Sequence, residues 1–387
     1  MKTKHALTLA AALLLAPLTT GLAQTTWETV DELTPWRGRD IVADAAGNFI
    51  SLAIDNATCT SCPVTTTVSL SSDHGATWQT VGSIAGYALD LAAAPDGALF
   101  ATGNRSATVS GRAFVWQSLD HGVTWTVSDP SVGLATGLIV ADVAAGNTDS
   151  IYVGGMSNGR WMLRKGQRTA SGITWSTVDS QPLGEIQSVF VRPTAAGQPD
   201  EVLVCGGGWT VRRSLDGGAT WTTLANPVST YSSQQAGSLT VSPNGSIFVV
   251  GRVSKTTTTQ TKVGKKIVTT TTTESGLLTR RSTNGGASWT DVDYVVNGSP
   301  AYSCGLNADA FGRVFAVGWI TPETWLVRGS ADGGTTWVTT DSFLPAETTR
   351  AHALGVASDA LGNVCVIGET GTNSVTYTAP IRRLAAP

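Results

Sequence analysis

Charge is scarce in this chain. Only 14% of its 387 residues are Asp, Glu, Lys or Arg, and the net charge is −3. Such a balance offers no basic surface for nucleic acid as a general partner. Cysteine is also scarce. The five present (Cys59, Cys62, Cys205, Cys304 and Cys365) are an odd number, so at least one thiol stays unpaired within a monomer. Long apolar runs are missing too. The longest, residues 6–18, falls short of the roughly 18 residues that a bilayer span needs. No spacing matches a nucleophile elbow or a Ser/His/Asp signature.

These gaps narrow the reading. Lys2 and Lys4 precede the 6–18 run, and Gly21-Leu22-Ala23 gives a small-residue cleavage site. Residues 1–23 therefore read as a signal peptide cleaved near Ala23, and the rest as a secreted or periplasmic protein without a membrane span. Cys59 and Cys62 form C-x-x-C in a Thr/Ser-rich stretch. Zinc would want two more ligands nearby, and a redox pair would want a βαβ context; neither is visible. A local disulfide in an oxidising compartment is the expectation, with no metal or cofactor. Cys205 and Cys365 fall on apolar stretches and read as small core residues.

What the chain has in abundance is glycine (43), tryptophan (13) and one repeated octapeptide. It reads SSDHGATW from Ser71, SLDHGVTW from Ser118, SLDGGATW from Ser214, STNGGASW from Ser282 and SADGGTTW from Ser330. The shared pattern is Ser-x-Asp-x-Gly-x-Thr-Trp. An Asp two residues after a hydroxyl, followed by Gly, is turn chemistry: the carboxylate accepts backbone N–H groups and Gly permits positive φ. The Trp then opens a strand and buries its ring beside the turn. Each copy predicts a hairpin corner. Calcium is a poor alternative, because each copy offers one carboxylate where the ion takes about 6–8 oxygens. The fourth copy replaces Asp with Asn284, which keeps the acceptor and drops the charge. The structural set is Asp73, Trp78, Asp120, Trp125, Asp216, Trp221, Asn284, Trp289, Asp332 and Trp337.

The octapeptide resembles the Asp box, or BNR repeat, of sialidase-like β-propellers. The resemblance implies a propeller; it implies little about activity, because Asp boxes occur in sialidases, xyloglucanases, sortilin-type receptors and photosystem assembly factors.

Spacing supplies the blade count. The gap from Trp125 to Trp221 is double the others, and Trp175 lies midway with Gly172 and Thr174 in register. There Arg168 and Ala170 replace the Ser and Asp, so this copy is degenerate. A second element precedes each octapeptide: an apolar strand, an Asp/Asn-Gly turn and another apolar strand, beginning at Asp40, Asp90, Ser238, Gly305 and Gly355, with looser copies near Leu138 and Ser188. A unit of about 45–50 residues fits a four-stranded blade. Seven inner pairs meet only six outer pairs, and residues 25–30 (TTWETV) resemble the strand after an octapeptide, with Trp27 in the Trp position. The fold expected is therefore all-β: one domain, 24–387, forming a seven-bladed propeller whose N-terminal strand completes the C-terminal blade and closes the ring.

Ligands of propellers usually meet the loops that enter the innermost strands. Three residues before each inner repeat lie Arg37, Tyr87, Ala135, Glu185, Gln235, Tyr302 and His352. Trp36, Arg39, Gln234 and Arg350 are close by, and Arg252, Trp319 and Trp209 follow the second strands. The ligand-binding candidates are Arg37, Tyr87, Glu185, Gln235, Tyr302, Arg350, His352 and Trp319. Aromatic faces stack on sugars and Arg grips carboxylates, so the partner expected is a glycan or an extracellular or envelope protein.

Catalysis is the competing expectation. The sialidase resemblance would imply an Arg group on a substrate carboxylate, a Tyr–Glu pair and an Asp acid. The Arg-Ile-Pro signature is absent, residues 36–40 (WRGRD) do not replace it, and seven blades depart from six. Tyr302, Glu185, Arg37 and Arg350 would mimic part of that set. A glycosidase would draw two carboxylates from Asp40, Asp90 and Glu185. A lyase would use Tyr87, Tyr302 or His352 as base with Arg on a uronate. Asp40 and Asp90 recur at one strand position, which points to a structural task.

One segment breaks the repeat. Residues 254–276 (SKTTTTQTKVGKKIVTTTTTESG) read as a projecting Thr-rich hairpin with a basic tip at Lys262, Lys265 and Lys266. It is either a solvated insertion or an arm over the binding face.

Overall fold

A computed structural model describes residues 26–34, 36–55, 64–104, 113–129, 139–146, 149–170, 172–192, 198–224, 230–264, 266–296, 298–299, 305–372 and 376–386. The proposed leader, Cys59, Cys62, Tyr302, Cys304, Ala135 and Lys265 lie outside the described residues. Seven antiparallel sheets follow one another around a ring. The innermost strands of blades one to five are Trp36–Ala43, Tyr87–Ala93, Ile139–Ala145, Ile186–Arg192 and Ser233–Val241. In blade six the inner strand is split into Gly298–Ser299 and Leu306–Ala308, both paired to Val314–Ile320. Blade seven runs outward from Arg350–Ser358 through Val364–Thr372 and Thr376–Leu384 to Glu28–Leu33. The N-terminal strand is thus its fourth strand, antiparallel to Thr376–Leu384 in a register that begins Glu28↔Arg383. No helix among the described residues is long and apolar enough to cross a membrane.

The core lies between blades. Alternate strand residues such as Leu52, Val68, Leu99 and Trp116 form one cluster between blades one and two, and comparable clusters fill the other seams. Trp27 closes the last of them, edge-on to Phe315 at 6.4 Å. Cys205 and Cys365 are fully buried. Trp209, placed by sequence near the mouth, is 1% exposed and belongs to the seam between blades four and five. Its local cause is a tight turn in which its own φ is +61°, which folds the indole inward.

Each octapeptide is a hairpin turn held by its own side chains. In the first, Gly75 N donates to Ser71 Oγ at 2.8 Å, and Thr77 donates through N and Oγ1 to Asp73 at 2.8 and 2.6 Å. Hydrogen bonds from the Thr hydroxyl and amide hold Asp73, Asp120 and Asp216 down to about 2. Asn284 does the same work uncharged: it accepts from Ser288 N at 2.9 Å and donates to Ser288 Oγ at 2.8 Å. The turns dock on the preceding blade. Trp337 meets Phe248 at 6.5 Å, and His74 Nδ1 lies 2.8 Å from Asp359 of blade seven. The same end of the ring carries the inner hairpin turns, so the octapeptides sit opposite the mouth formed by the strand entries.

The insertion is an extension of blade five. Strands Ile247–Val263 and Lys266–Ser282 stay paired to Val263↔Lys266, well beyond the last partners of their neighbours, and residues 255–262 and 266–274 are exposed.

Candidate functional site

Inner strands of six blades share one irregularity. Their register slips by a residue at Gly38/Asp40, Ala88/Asp90, Val140/Asp142, Ile186/Ser188, Ala236/Ser238 and Ala353/Gly355. These repeated bulges divide the channel wall into two tiers.

The lower tier follows the bulge. Asp40 Oδ2 accepts from Leu91 N of the next blade at 2.9 Å, Asp90 Oδ2 from Val143 N at 2.6 Å, and Asp142 Oδ2 from Val189 N at 2.7 Å. The three carboxyls also hydrogen-bond one another in sequence around the channel. Burial raises all three, Asp40 to about 7 and Asp90 well above its ordinary value, and the neighbouring carboxylates raise those two further. These residues are inter-blade clasps. Asp142 is the member that the sequence reading missed; its alignment with Asp40 and Asp90 in ADVAAGN was the available signal.

The upper tier precedes the bulge and holds most of the candidates. Arg37, Tyr87, Gln235, Arg350 and His352 stand in the first turns of the inner strands, and Glu185 immediately precedes one. The structure brings Arg37, Arg350 and His352 together on a residue that sequence did not single out, Glu369. Arg37 donates to it through Nε at 2.6 Å and Nη2 at 3.0 Å, and Arg350 Nη2 at 3.2 Å. His352 Nδ1 lies 3.5 Å away. Burial opposes the charge of Glu369. Hydrogen bonds from His352 and Arg37, with the charges of Arg37 and Arg39, outweigh it and hold the carboxyl at about 2. Glu369 was legible only as the cross-strand partner of His352, a pairing that depends on the bulge.

Two more residues complete the cluster. Tyr377 lies under both guanidinium groups, with Arg37 at 4.3 Å and Arg350 at 5.4 Å from its ring, and its hydroxyl accepts from Arg350 Nη1 at 3.1 Å. Glu323 reaches His352 Nε2 at 2.6 Å from the turn between the second and third strands of blade six. Trp319 stacks on the other side of that imidazole, ring centroids 4.6 Å apart and 15° from parallel. On the blade-two side, Arg39 Nη2 donates to Tyr87 Oη at 3.0 Å.

Glu185 and Gln235 stand at the entries to blades four and five, whereas this cluster spans blades six, seven and one. Burial raises Glu185, a hydrogen bond from Gln187 offsets part of that, and no other carboxylate contributes. Asp40 and Asp90 hydrogen-bond each other in the lower tier, closer than the roughly 5–9.5 Å that the two carboxyls of a glycosidase keep. Among the described residues no group of three or more His, Cys, Asp or Glu is arranged to hold a metal. Two further cavities lie away from the mouth: about 300 Å³ at the rim beside Phe114, Trp116 and Trp125, and about 260 Å³ at the opposite end beside Phe190, Pro243 and Ala310.

No family model matches the sequence, and no curated protein matches it. Solved structures do resemble it in fold. A structure described as YCF48 bound to D1 peptide shares 12% identity at a TM-score of 0.53, covering 93% of this chain and 97% of the other. Sqt1 of Saccharomyces cerevisiae shares 11% at 0.50, covering 94% and 98%. A Hadza microbial sialidase, Hz136, shares 14% at 0.42, covering 90% of this chain and 65% of its own. The first two likenesses support a β-propeller, an architecture that carries varied functions.

Proposed function

We propose that this chain is an exported binding propeller whose ligand, a glycan, docks on the upper tier between blades six and two. The observation that carries the reading is the state of Glu369. Its carboxylate fills the position between Arg37 and Arg350 where a catalytic acid or a substrate anion would sit, and His352, Arg37 and Arg39 keep it ionised far below neutral pH. A group so held anchors a surface and does not deliver protons. Around it, Tyr87, Trp319 and Arg39 are partly exposed and give the mixture of flat rings and hydrogen-bonding groups that suits sugar hydroxyls.

The test is a binding and turnover screen of the purified protein on sialyl, xyloglucan and uronate oligosaccharides. Saturable binding without product supports the reading. The runner-up is a carbohydrate-active hydrolase or lyase using the same face, favoured by the raised carboxyl of Glu185. Turnover that Glu185→Gln abolishes would establish it instead. Export is checked by the N-terminal mass of the mature protein, expected to begin after Ala23.

A further inference from the structure

Glu323 is held in an unusual way. Its φ is +48°, in the left-handed region that side-chain-bearing residues seldom adopt. Its carbonyl accepts from Ala351 N at 2.6 Å, which fixes the turn against blade seven. The result is that its carboxylate is delivered to His352 Nε2 at 2.6 Å, while the side chain stays 42% exposed. The receiving imidazole is 6% exposed and is sandwiched from behind by Trp319.

The fit is incomplete. Arg350 Nε is buried and has no hydrogen-bond partner. Glu323 Oε2 stands 3.9 Å from it, too far to accept its proton. The other two Arg350 nitrogens are engaged, Nη1 with Tyr377 and Nη2 with Glu369. Two donors at the edge of one cluster, His352 Nε2 and Arg350 Nε, thus face a carboxylate that satisfies only the first. Charge points the same way: Arg37, Arg39 and Arg350 are permanently cationic, and only Glu369 and Glu323 oppose them within the cluster.

We propose that Glu323 is an internal stand-in for a ligand carboxylate, and that the ligand is a uronate-bearing oligosaccharide whose carboxylate displaces it and bonds His352 Nε2 and Arg350 Nε together. This deepens the glycan reading above and rests on it. Displacement requires no backbone change: the turn stays fixed through the Glu323 carbonyl and the exposed side chain swings into solvent. The ion pair it gives up is half exposed, a class whose net contribution is small. An arriving carboxylate satisfies one more buried donor than the residue it replaces. The self-occupied state lowers apparent affinity in proportion to its population, so a site filled about nine-tenths of the time binds roughly tenfold more weakly than an open one.

The experiment is calorimetric titration of the full mature protein with an oligogalacturonate and with its methyl ester, in which an uncharged COOCH3 replaces each carboxylate. Wild type, Glu323→Ala and Glu323→Gln are compared, with thermal midpoints as a folding control. The expected result is that both variants bind the free acid roughly tenfold more tightly than wild type and the ester no differently. Equal affinities of wild type and variants for the acid, or equal tightening for acid and ester, overturn the proposal. Binding of the ester with no binding of the acid overturns it while leaving the glycan reading in place. If neither saccharide binds and an acidic peptide tightens on the variants, the uronate source is wrong and the glycan reading falls with it.

Discussion

Replacing Trp27 by Ala tests the closure of the ring at one side chain. The indole is 8% exposed and sits in the seam between blades six and seven with Phe315, Val317, Val327 and Val366. Its carbonyl also accepts from Arg382 Nη2 at 3.4 Å. Truncation of a buried Trp costs about 3–5 kcal/mol, the transfer of the ring plus the cavity it leaves. A strand that arrives from the far end of the sequence cannot collapse into that cavity without giving up its register with Thr376–Leu384. At about 2 °C per kcal/mol for a domain of this size, the thermal midpoint should fall by roughly 6–10 °C, measured by calorimetry or by circular dichroism of the β-sheet signal. Deleting residues 24–33 should do more, because it also strips the outer edge of blade seven and exposes unpaired backbone to self-association. A Trp27→Ala midpoint within about 2 °C of wild type would refute the claim that this strand locks the ring.

Other expectations follow from the same packing. Asp90 is raised in the folded chain, so the native state keeps a proton that the unfolded state has lost; stability therefore falls as pH rises from about 4 through the folded value. Asp90→Asn removes that penalty, so its stability in denaturant unfolding should exceed that of wild type at pH 8 and converge with it at pH 4; an equal gap at both pH values would contradict the sign. Gly334 has φ +82°, and a Cβ there would run into the Phe248 ring of the preceding blade, so Gly334→Ala should cost about 2–4 kcal/mol in denaturant unfolding. Removing 256–273 and rejoining the strands should leave the midpoint within about 2 °C, since those exposed residues bury no core; a large loss would mean the arm packs on the ring.

The ring was legible because its determinants are local. Ser-x-Asp-x-Gly-x-Thr-Trp encodes a turn within eight residues, and the turn holds whether its third residue is Asp216 or Asn284. The degenerate copy was readable from spacing alone, and Gly166↔Trp175 pairing places it in the expected outer hairpin. The site was legible by half. Arg37 and His352 came from a repeated column, and Arg350 from beside it. Glu369, Tyr377 and Glu323 did not, because each acts through a cross-strand or cross-blade neighbour with no counterpart in the other blades. Asp40 and Asp90 were offered as acids and are placed as clasps; their recurrence was the sign of it, and the missing third, Asp142, is what makes the pattern continuous.

Those clasps are unevenly distributed. Carboxyls bridge blade one to two, two to three and three to four, whereas the equivalent positions onward are Ser188, Ser238, Gly305 and Gly355. In this tier the carboxyl clasps cover one arc of the hoop; beyond it the Ser188 hydroxyl accepts from Leu239 N at 3.4 Å, and the two glycines offer no side chain. The junction between blades seven and one, where Gly355 lies against Asp40 without a side chain to grip it, is directly beneath Arg37, Arg350 and His352. A ligand arriving there meets a junction bridged by the upper-tier pair of Arg37 and Glu369 in place of a lower-tier carboxyl, so the grip between blades seven and one lies in the layer that the proposed ligand touches.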